Sequence, residues 1–465
     1  MRTRHRTGSS LVTGQRRPGT GYHGPGPGAR DEEPPADGAG ADRPNAGAGA
    51  QAPPPAPAST RDIQEASVRH TLAGRAENAT QAKALKLLRD EGPLSRVQLA
   101  DRLGVSRTTI GSELNRLSEL GLAENAGPAA SRGGRRSTLV DLSPNLRFVG
   151  VDIGATSISV AITDGRLAVL GKRLHVPVDV RLGPERVLGS ALALAHEVRA
   201  ELGIQRVTGV GIGVPGPVDF HSGVPVSPPI MPGWHGYPVR EAVSRELGCP
   251  VLLDNDVNLM ALGERHAGVA KSVPSFLFVK IGTGIGCGIV TGGELYRGVD
   301  GCAGDIGHVR VEEFGPTCAC GNSGCLEAFF GGSALARDAM AAVRSGRSPV
   351  LASLLDGREQ LSAEDVAHAV AQGDPYSVQL IRDGGHRVGW ALASLVSFFN
   401  PGLIVIGGRV ARLGHPLLAE IRGVVYRRSL PLATGNLPVV LSEMGDDAGV
   451  VGAAALISEA VYAAD

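Results

Sequence analysis

Residues 148–156 read FVGVDIGAT, an apolar run that enters a glycine turn directly after an aspartate. The run predicts a buried β-strand, and residues 157–163 predict a second strand that forms a hairpin with it. Small residues after the strand let backbone N–H groups approach a phosphate, while the Asp152 carboxylate can hold a hydrated metal ion. The segment therefore indicates a phosphate-binding turn, although a plain strand turn would give the same pattern.

The pattern occurs twice more along the chain. Residues 276–281 form an apolar strand interrupted only by Lys280, and a glycine turn follows it. A third apolar run, residues 403–406, ends in two glycines. Three such turns predict an internally duplicated α/β fold with a nucleotide cleft between two lobes. The candidate nucleotide-binding residues are Asp152, Gly154, Thr156, Gly282, Thr283, Gly284, Gly407 and Gly408.

The cysteines predict a metal site. Three of the six lie within residues 318–325, and His308 precedes them in the pattern H-x9-C-x-C-x4-C, with glycines at 321 and 324 for tight turns. One nitrogen and three sulfur ligands are typical of tetrahedral zinc with no open position, so the site is predicted to be structural. The alternative is three buried free cysteines. The predicted ligands are His308, Cys318, Cys320 and Cys325.

Carboxylates are concentrated in the same part of the chain. Asp256 follows a predicted strand at 251–253, and Asp305 and Glu327 flank the predicted metal ligands. A carboxylate at the end of such a strand is placed to act as a general base toward a hydroxyl group. We therefore expect Asp256, Asp305 and Glu327 to face the cleft, whereas the neighbouring Asp254 could be a surface acid.

Residues 78–143 predict a small helical module. A first helix ends at Gly92, and a capping box at Ser95 opens a second helix. Gly104 makes a turn, after which Ser106 caps a third helix. A helix, a tight glycine turn and a further helix are typical of the helix-turn-helix motif.

The third helix has an apolar face and a polar face. Ile110, Leu114 and Leu117 recur at spacings of four and three, so they face the core and leave hydrogen-bonding side chains outward. A basic segment and a strand at 138–142 then predict a wing that contacts the phosphate backbone. A three-helix domain for protein contact is the alternative. The candidate DNA-binding residues are Arg107, Thr108, Thr109, Ser112, Asn115, Arg116, Arg132, Arg135 and Arg136.

The composition limits where nucleic acid could bind. The 465 residues include 46 basic and 46 acidic side chains, which excludes a protein-wide basic field, so any DNA contact must come from a local patch. Residues 1–60 are rich in Gly and Pro and predict a tail, either a basic arm or, as the acidic residues at 31–42 favour, a solvated segment. We find no apolar signal segment or membrane span, and the clustered cysteines indicate a reducing compartment. The chain is therefore predicted to be cytoplasmic, with no membrane partner.

These motifs together resemble those of the ROK family of repressors and sugar kinases. The resemblance rests on residues 211–219, 254–258, 282–308 and 318–327, and it covers about 146–460. It implies an α/β, actin-like ATPase fold of two RNase H-like lobes, with structural Zn²⁺ at the four predicted ligands. It also implies that sugar hydroxyls contact Asn255, Asp256, Asp305, His308 and Glu327, with His308 bridging zinc and sugar through its two ring nitrogens.

With its helical module, the chain resembles the ROK transcriptional regulators of the xylose and N-acetylglucosamine repressor type. Composition and motifs together divide the chain into a tail at 1–75, a winged helix-turn-helix domain at 76–145 and a domain at 146–465 that resembles the ROK domain. The resemblance further implies operator DNA as a partner, a sugar or sugar derivative as effector, and a homodimer or a dimer of dimers. The sugar is expected to close the lobes and so change DNA affinity.

Four positions depart from or agree with the kinases in ways that bear on activity. Ala155 and Ser157 replace Gly and Lys of the kinases' D-x-G-G-T-K turn, and Asp305 stands where the kinases usually carry Glu. Asp256, which matches their catalytic base, is intact. Sugar binding is therefore expected, whereas phosphoryl transfer from Mg-ATP stays open. The alternatives are an ATP-dependent sugar kinase with an auxiliary DNA-binding module, and a scaffold that binds no sugar.

Overall fold

The computed structural model describes residues 75–128 and 137–464, all within one structural unit, Ala58–Asp465. The predicted tail and the wing arginines Arg132, Arg135 and Arg136 lie outside the described residues. The predictions made for them are therefore not addressed by the structure.

The three predicted helices of the N-terminal module are present as α1 (Ala79–Glu91), α2 (Arg96–Leu103) and α3 (Arg107–Glu119). The capping box predicted at Ser95 is formed, since its hydroxyl accepts from the Gln98 backbone N–H at 3.2 Å. Ser106 caps α3, and Gly104 adopts the left-handed conformation that the tight turn requires. The local signals in the sequence therefore determine this module.

A three-stranded antiparallel sheet completes the module. Its strands are β1 (Leu94–Ser95), β2 (Ala123–Pro128) and β3 (Thr138–Leu142), in the order β1-β3-β2. The predicted wing strand is thus confirmed as β3. It pairs with β2 on one side and with β1, which lies between α1 and α2, on the other.

Two five-stranded sheets form the rest of the chain, and their strands follow the same order. The first sheet has the order β10-β7-β4-β5-β6 and the second β13-β12-β11-β14-β15, when strands are numbered along the chain. In both, the first strand is central, the second and third follow on one side, and the fourth and fifth on the other. The strands are β4 (Phe148–Ile153), β5 (Ser157–Thr163), β6 (Val169–Pro177), β7 (Gly209–Val214), β10 (Val251–Asn255), β11 (Phe276–Ile281), β12 (Ile285–Thr291), β13 (Glu294–Tyr296), β14 (Ile404–Gly407) and β15 (Val439–Leu441), with β8 (Val218–Asp219) and β9 (Val224–Pro225) in a separate hairpin.

This shared order confirms the predicted duplication and corrects one detail of it. The turns after β4 and β11 are equivalent, because each joins the first two strands of its sheet. The turn after β14 is different, because β14 is the fourth strand of its sheet and corresponds to β7. The three glycine turns are therefore two copies of one hairpin and one end of a parallel strand, rather than three repeats.

Helices lie between these strands in the chain and pack against the sheets. Residues 388–408 form the end of α11 (Pro375–Phe399), a turn and β14, with Asn400 ending the helix in the left-handed conformation. Among the described residues, no helix has the length and apolarity needed to span a membrane. The helices are α4 (Pro184–Glu201), α5 (Val239–Leu247), α6 (Asp256–Ala267), α7 (Leu326–Phe330), α8 (Gly332–Arg344), α9 (Pro349–Leu355), α10 (Ala363–Ala371), α11 (Pro375–Phe399), α12 (His415–Arg428), α13 (Pro431–Thr434) and α14 (Asp447–Val461), with 3₁₀ turns at Val180–Leu182, Ile306–His308 and Val410–Leu413.

The last helix, α14, is packed backbone to backbone on both sides. A Cβ at Gly452 would lie 1.6 Å from the carbonyl oxygen of Leu259 in α6. On the opposite side, Cβ atoms at Gly150 and Gly211 of the first sheet would lie 1.9 and 1.8 Å from carbonyl oxygens of α14. Glycine at these positions is what allows α14 to fit between α6 and the sheet.

The end of α14 contacts the N-terminal module. The Val461 carbonyl accepts from the Ala76 backbone N–H at 3.1 Å, and the buried Tyr462 hydroxyl donates to the Gly165 carbonyl at 2.8 Å. Leu85 and Leu88 of α1 belong to the same hydrophobic core as Val461 and Tyr462. The helical module and the first lobe therefore share a continuous core.

The packing of α14 predicts opposite effects for one substitution at two sites. Gly452→Ala is expected to destabilise the fold by about 1–3 kcal/mol or more, because the added methyl group overlaps the Leu259 carbonyl. Gly189→Ala in α4 is the matched control, since nothing lies within 4 Å of its added methyl group, and it should stabilise by about 0.5–1 kcal/mol. Urea denaturation measures both, and equal stability of Gly452→Ala and wild type would contradict the packing described.

Candidate ligand-binding cleft

One cleft gathers the candidate residues for sugar and nucleotide from both lobes. Its volume is about 880 Å³, within the range of small-molecule sites. The strand ends of both sheets and the loop before α7 line it. The predicted residues that line it are Asp152, Gly154, Thr156, Asn255, Asp256, Gly282, Thr283, Gly284, Asp305, His308, Cys318, Glu327, Gly407 and Gly408.

The turn after β4 carries Asp152 at the cleft wall. The backbone N–H of Gly154 donates to the Ser157 carbonyl at 2.8 Å and closes the turn. Oδ1 of Asp152 is buried and has no hydrogen-bond partner among the described residues. Burial raises the pKa of Asp152 to about 6, although the nearby Lys280 charge opposes the rise.

Ser157 stands where the kinases have a lysine. A cation from the other lobe contacts it instead. Nη2 of Arg409, just after β14, donates to the Ser157 hydroxyl at 2.8 Å. Close by, Arg412 pairs with Asp446 at 2.6 Å, and Arg173 pairs with Asp447 at 2.9 Å. The two lobes are therefore joined by charged contacts at this end of the cleft.

Two of the predicted glycine turns have packing roles. A Cβ at Gly408 would lie 2.5 Å from the Ile281 carbonyl, and one at Gly407 would lie 2.4 Å from the Phe278 ring. A Cβ at Gly284 would lie 2.1 Å from Oε2 of Glu327. These glycines are thus required by close contacts within the lobe, which accounts for them without a nucleotide.

Three polar side chains at the junction of β10 and α6 lie in different surroundings. Asn255 caps α6 by accepting from the Val257 N–H at 2.9 Å, and its amide donates to the Gly216 carbonyl at 3.0 Å. Asp256, the first residue of α6, is 2% exposed and faces the cleft. The interpretation of Asp254 as a surface acid is wrong: it is 2% exposed and pairs with Arg297 at 2.7 Å.

Lys280 lines the cleft and is a residue for which the sequence pattern predicts no role. Its ammonium group forms an ion pair with the Asp256 carboxylate. Burial alone would lower the pKa of Lys280, but the charges of Asp256 and Asp152 outweigh it and raise that pKa above its usual value. The signal in the sequence was a single charge within an otherwise apolar strand, which is where a buried ion pair is needed.

Asp305, His308 and Glu327 also line the cleft. Oε2 of Glu327 accepts from the Ile285 backbone N–H at 3.0 Å, which fixes this carboxylate against the turn before β12. Nε2 of His308 lies 3.9 Å from Oδ1 of Asp305, whose side chain is half exposed. The structure therefore brings these three predicted sugar-binding residues together at one wall.

The four predicted metal ligands converge on one point. The candidate ligand atoms of His308, Cys318, Cys320 and Cys325 all lie within 4.8 Å of one another. Nδ1 of His308 is 3.4 Å from the Cys318 sulfur, and the sulfurs of Cys320 and Cys325 are 3.7 Å apart. A soft set of one nitrogen and three sulfurs fits a tetrahedral metal such as zinc.

The outward face of α3 is exposed as predicted, with one difference. Arg107, Thr108, Thr109, Ser112, Asn115 and Arg116 are all exposed. Arg116, however, pairs with Glu77 at 2.7 Å and with Glu119 at 3.0 Å, and Asn115 accepts from Arg96 at 3.4 Å. The residues of the first turn of α3 are thus more available to a groove than those near its end.

Comparison with known proteins follows these structural boundaries. The ROK family profile matches residues 148–460, and an HTH domain profile matches residues 80–126. The chain belongs to the ROK family. A putative xylose repressor from Caldicellulosiruptor sp. strain Rt8B.4 is 32% identical over 80% of this chain and 94% of its own length. A glucokinase from Thermotoga maritima is 33% identical over 68% of this chain and 99% of its own length.

A solved regulator matches both parts of the chain. It is a ROK family transcriptional regulator, a homologue of the E. coli MLC protein, with 27% identity and a TM-score of 0.71 over 82% of this chain and 96% of its own. The glucokinase match covers 68% of this chain, whereas the two regulators match 80% and 82% of it. This member of the ROK family is therefore a DNA-binding regulator with an actin-like sugar-kinase fold, and its helical module is an HTH domain.

The raised pKa of Asp152 predicts a pH-dependent stability. Because that pKa rises from 3.8 to about 6, the folded chain binds the proton more tightly, and this stabilisation is lost as the pH rises through about 6. Asp152→Asn removes the titration, so its free energy of unfolding should gain on that of wild type between pH 4.5 and pH 7, by up to about 1.4 kcal/mol per pH unit. An equal difference at both pH values in thermal unfolding would contradict the burial of this charge.

Proposed function

We propose that this regulator binds a sugar or sugar derivative in the cleft, and that the sugar changes its affinity for operator DNA. The observation that carries the proposal is that α14 begins beside the cleft and ends against the HTH domain. Relatives named as xylose repressors and as an N-acetylglucosamine repressor support a carbohydrate effector.

Sugar hydroxyls would be recognised by the residues that the cleft presents. Carboxylates of Asp256, Asp305 and Glu327 accept hydrogen bonds from hydroxyl groups. The Asn255 amide uses one N–H for the Gly216 carbonyl and keeps the other for a ligand. Asp305, being half exposed, can turn toward a ligand, which compensates for its shorter reach relative to Glu.

We propose that the four-ligand cluster holds a structural zinc ion that orients His308. Zinc supplies no open position in such a site, so its contribution is to fix the loop. With Nδ1 of His308 directed at the thiolates, Nε2 remains beside Asp305 at the cleft wall. His308 would therefore serve the metal with one nitrogen and the sugar with the other.

Coupling to DNA would run through α6 and α14. Asp256 starts α6 in the cleft, and a Cβ at Gly449 near the start of α14 would lie 2.3 Å from Asp152. At the other end of this helix pair, Glu459 of α14 bonds His266 at 2.7 Å. Because these contacts are close, a shift in the cleft would move both helices and, through the end of α14, the HTH domain.

DNA would be bound by the exposed face of α3 and by the wing. We propose that Arg107, Thr108, Thr109 and Ser112 contact base edges, that Asn115 and Arg116 lie nearer the backbone, and that Arg132, Arg135 and Arg136 neutralise phosphates. A homodimer or dimer of dimers would place two such helices on a two-fold operator. We further propose a cytoplasmic protein divided at about residues 75 and 145.

A sugar panel tested against DNA binding checks this proposal. The operator is first selected from genomic fragments with the full-length chain, and its affinity is then measured by fluorescence anisotropy with each sugar. We expect one sugar to change the Kd at least about fivefold, the lower end of ordinary allosteric coupling.

Variants separate the two binding events. Glu327→Gln should lose the response to sugar but keep operator affinity, whereas Arg107→Ala should lose operator affinity but keep the thermal shift with sugar. Glu313→Gln, the same change at an exposed residue that does not line the cleft, is the control and should retain both. If no sugar alters either DNA affinity or thermal stability, the proposal is wrong.

Removal of a ligand tests the zinc site. Cys320→Ser is expected to lower bound zinc from about one ion per chain toward none and to lower the melting temperature, because a three-ligand site binds more weakly. Cys302→Ser changes an exposed cysteine outside the cluster and should leave both values as in wild type. Metal analysis by mass spectrometry decides, and undiminished zinc in Cys320→Ser would refute the site.

A further inference from the structure

The ion pair between Lys280 and Asp256 lies beside Asp152, the carboxylate that the sequence predicts to hold a hydrated metal ion. Lys280 is the single charged residue of β11, and its side chain is 18% exposed, while that of Asp256 is 2% exposed. Burying two charges is costly unless each is compensated by the other. The stability of the strand alone therefore does not account for a lysine at this position.

Asp152 shares the same positive charge. It is the register partner of Gly213, and a Cβ at Gly213 would lie 3.3 Å from Cα of Asp256, so the two aspartates are neighbours. Lys280 opposes the rise in the pKa of Asp152, and Asp152 in turn raises the pKa of Lys280. One ammonium group thus acts on both carboxylates.

We propose that the Lys280 ammonium group takes the place of a divalent cation beside Asp152 and Asp256, so that the cleft binds its sugar without Mg-ATP. Two carboxylates and one ammonium group leave a net charge of −1. A divalent ion added to that set would have to displace the lysine or face its repulsion at short range. Mg-ATP therefore does not fit these residues.

This assignment also gives Lys280 a role in preventing Asp256 from acting as a catalytic base, so that the site binds sugar without phosphorylating it. A catalytic base must be free to accept a proton from the sugar hydroxyl, but Asp256 is already engaged by a cation. Lys280 is a positioning residue in this sense, because its ion pair holds the Asp256 carboxylate in one place. The part of the inference that concerns sugar depends on the proposed function, whereas the part that concerns the cation does not.

Removing the lysine should open a metal site. Lys280→Met leaves two buried carboxylates, one of which has an oxygen without a partner among the described residues, and hard divalent cations prefer oxygen ligands. We expect Mn²⁺ to bind this variant at least about tenfold more tightly than wild type, as measured by electron paramagnetic resonance on the full-length chain loaded with zinc. The added binding should disappear in the double variant with Asp152→Asn.

Two further variants distinguish a cation site from general damage. Arg297→Met also removes a cation from a buried aspartate, Asp254, but neither residue lines the cleft, so it should gain no Mn²⁺ site. Lys280→Arg keeps a positive charge and should keep the site closed. Failure of Lys280→Met to gain Mn²⁺ binding, or an equal gain in Arg297→Met, would overturn the inference.

The wild-type chain provides a test that does not depend on how the Lys280 variants fold. We expect wild type and Asp152→Asn to give the same Mn²⁺ titration, because wild type has no Mn²⁺ site at Asp152. Sugar should raise the melting temperature of wild type equally with and without Mg-ATP. Mn²⁺ binding by wild type that is lost in Asp152→Asn would overturn the inference. If no sugar shifts the melting temperature but the Mn²⁺ results hold, the proposed function fails and the role of Lys280 stands.

Discussion

The close approach of α14 to the backbone on both of its sides is the constraint on which the rest of the structure depends. Glycines of the first sheet and of α14 itself replace side chains at the contacts, so carbonyl oxygens meet Cα atoms directly. Such an arrangement has little compressible volume. The same helix begins next to the cleft and ends in the core of the HTH domain, which makes it a rigid connection between the two.

Three cationic side chains, two half-buried and one exposed, hold polar groups in and beside the cleft. Lys280 engages Asp256, Arg297 engages the adjacent Asp254, and Arg409 reaches across from the second lobe to Ser157. Together they fix the carboxylates and the phosphate turn without any ligand. A site in this state suits recognition of hydroxyl groups, which needs placed acceptors, better than phosphoryl transfer, which needs a free base and an open cation site. Regulator and kinase can therefore share one fold and differ in a few charges.

The sequence was sufficient for the elements whose signals are local. The cap at Ser95, the turn at Gly104 and the spacing of the four metal ligands each depend on residues close together in the chain, and all three are present. It was insufficient for contacts between distant segments: the partners of Lys280, of Arg297 and of Arg116 lie 24, 43 and 39 residues away. The glycines at 407 and 408 have a second explanation for a related reason, because strands that pack closely produce the same pattern as a phosphate turn.

The central claim is that a ligand in the cleft acts on the HTH domain through α14. Amide hydrogen exchange of the full-length chain, measured by mass spectrometry with and without the sugar that stabilises it, tests this most directly. The account predicts changed exchange in the cleft, along residues 447–462 and at residues 76–91, where the Ala76 N–H bonds the Val461 carbonyl. Changed exchange in the cleft with unchanged exchange at residues 76–91 would contradict it.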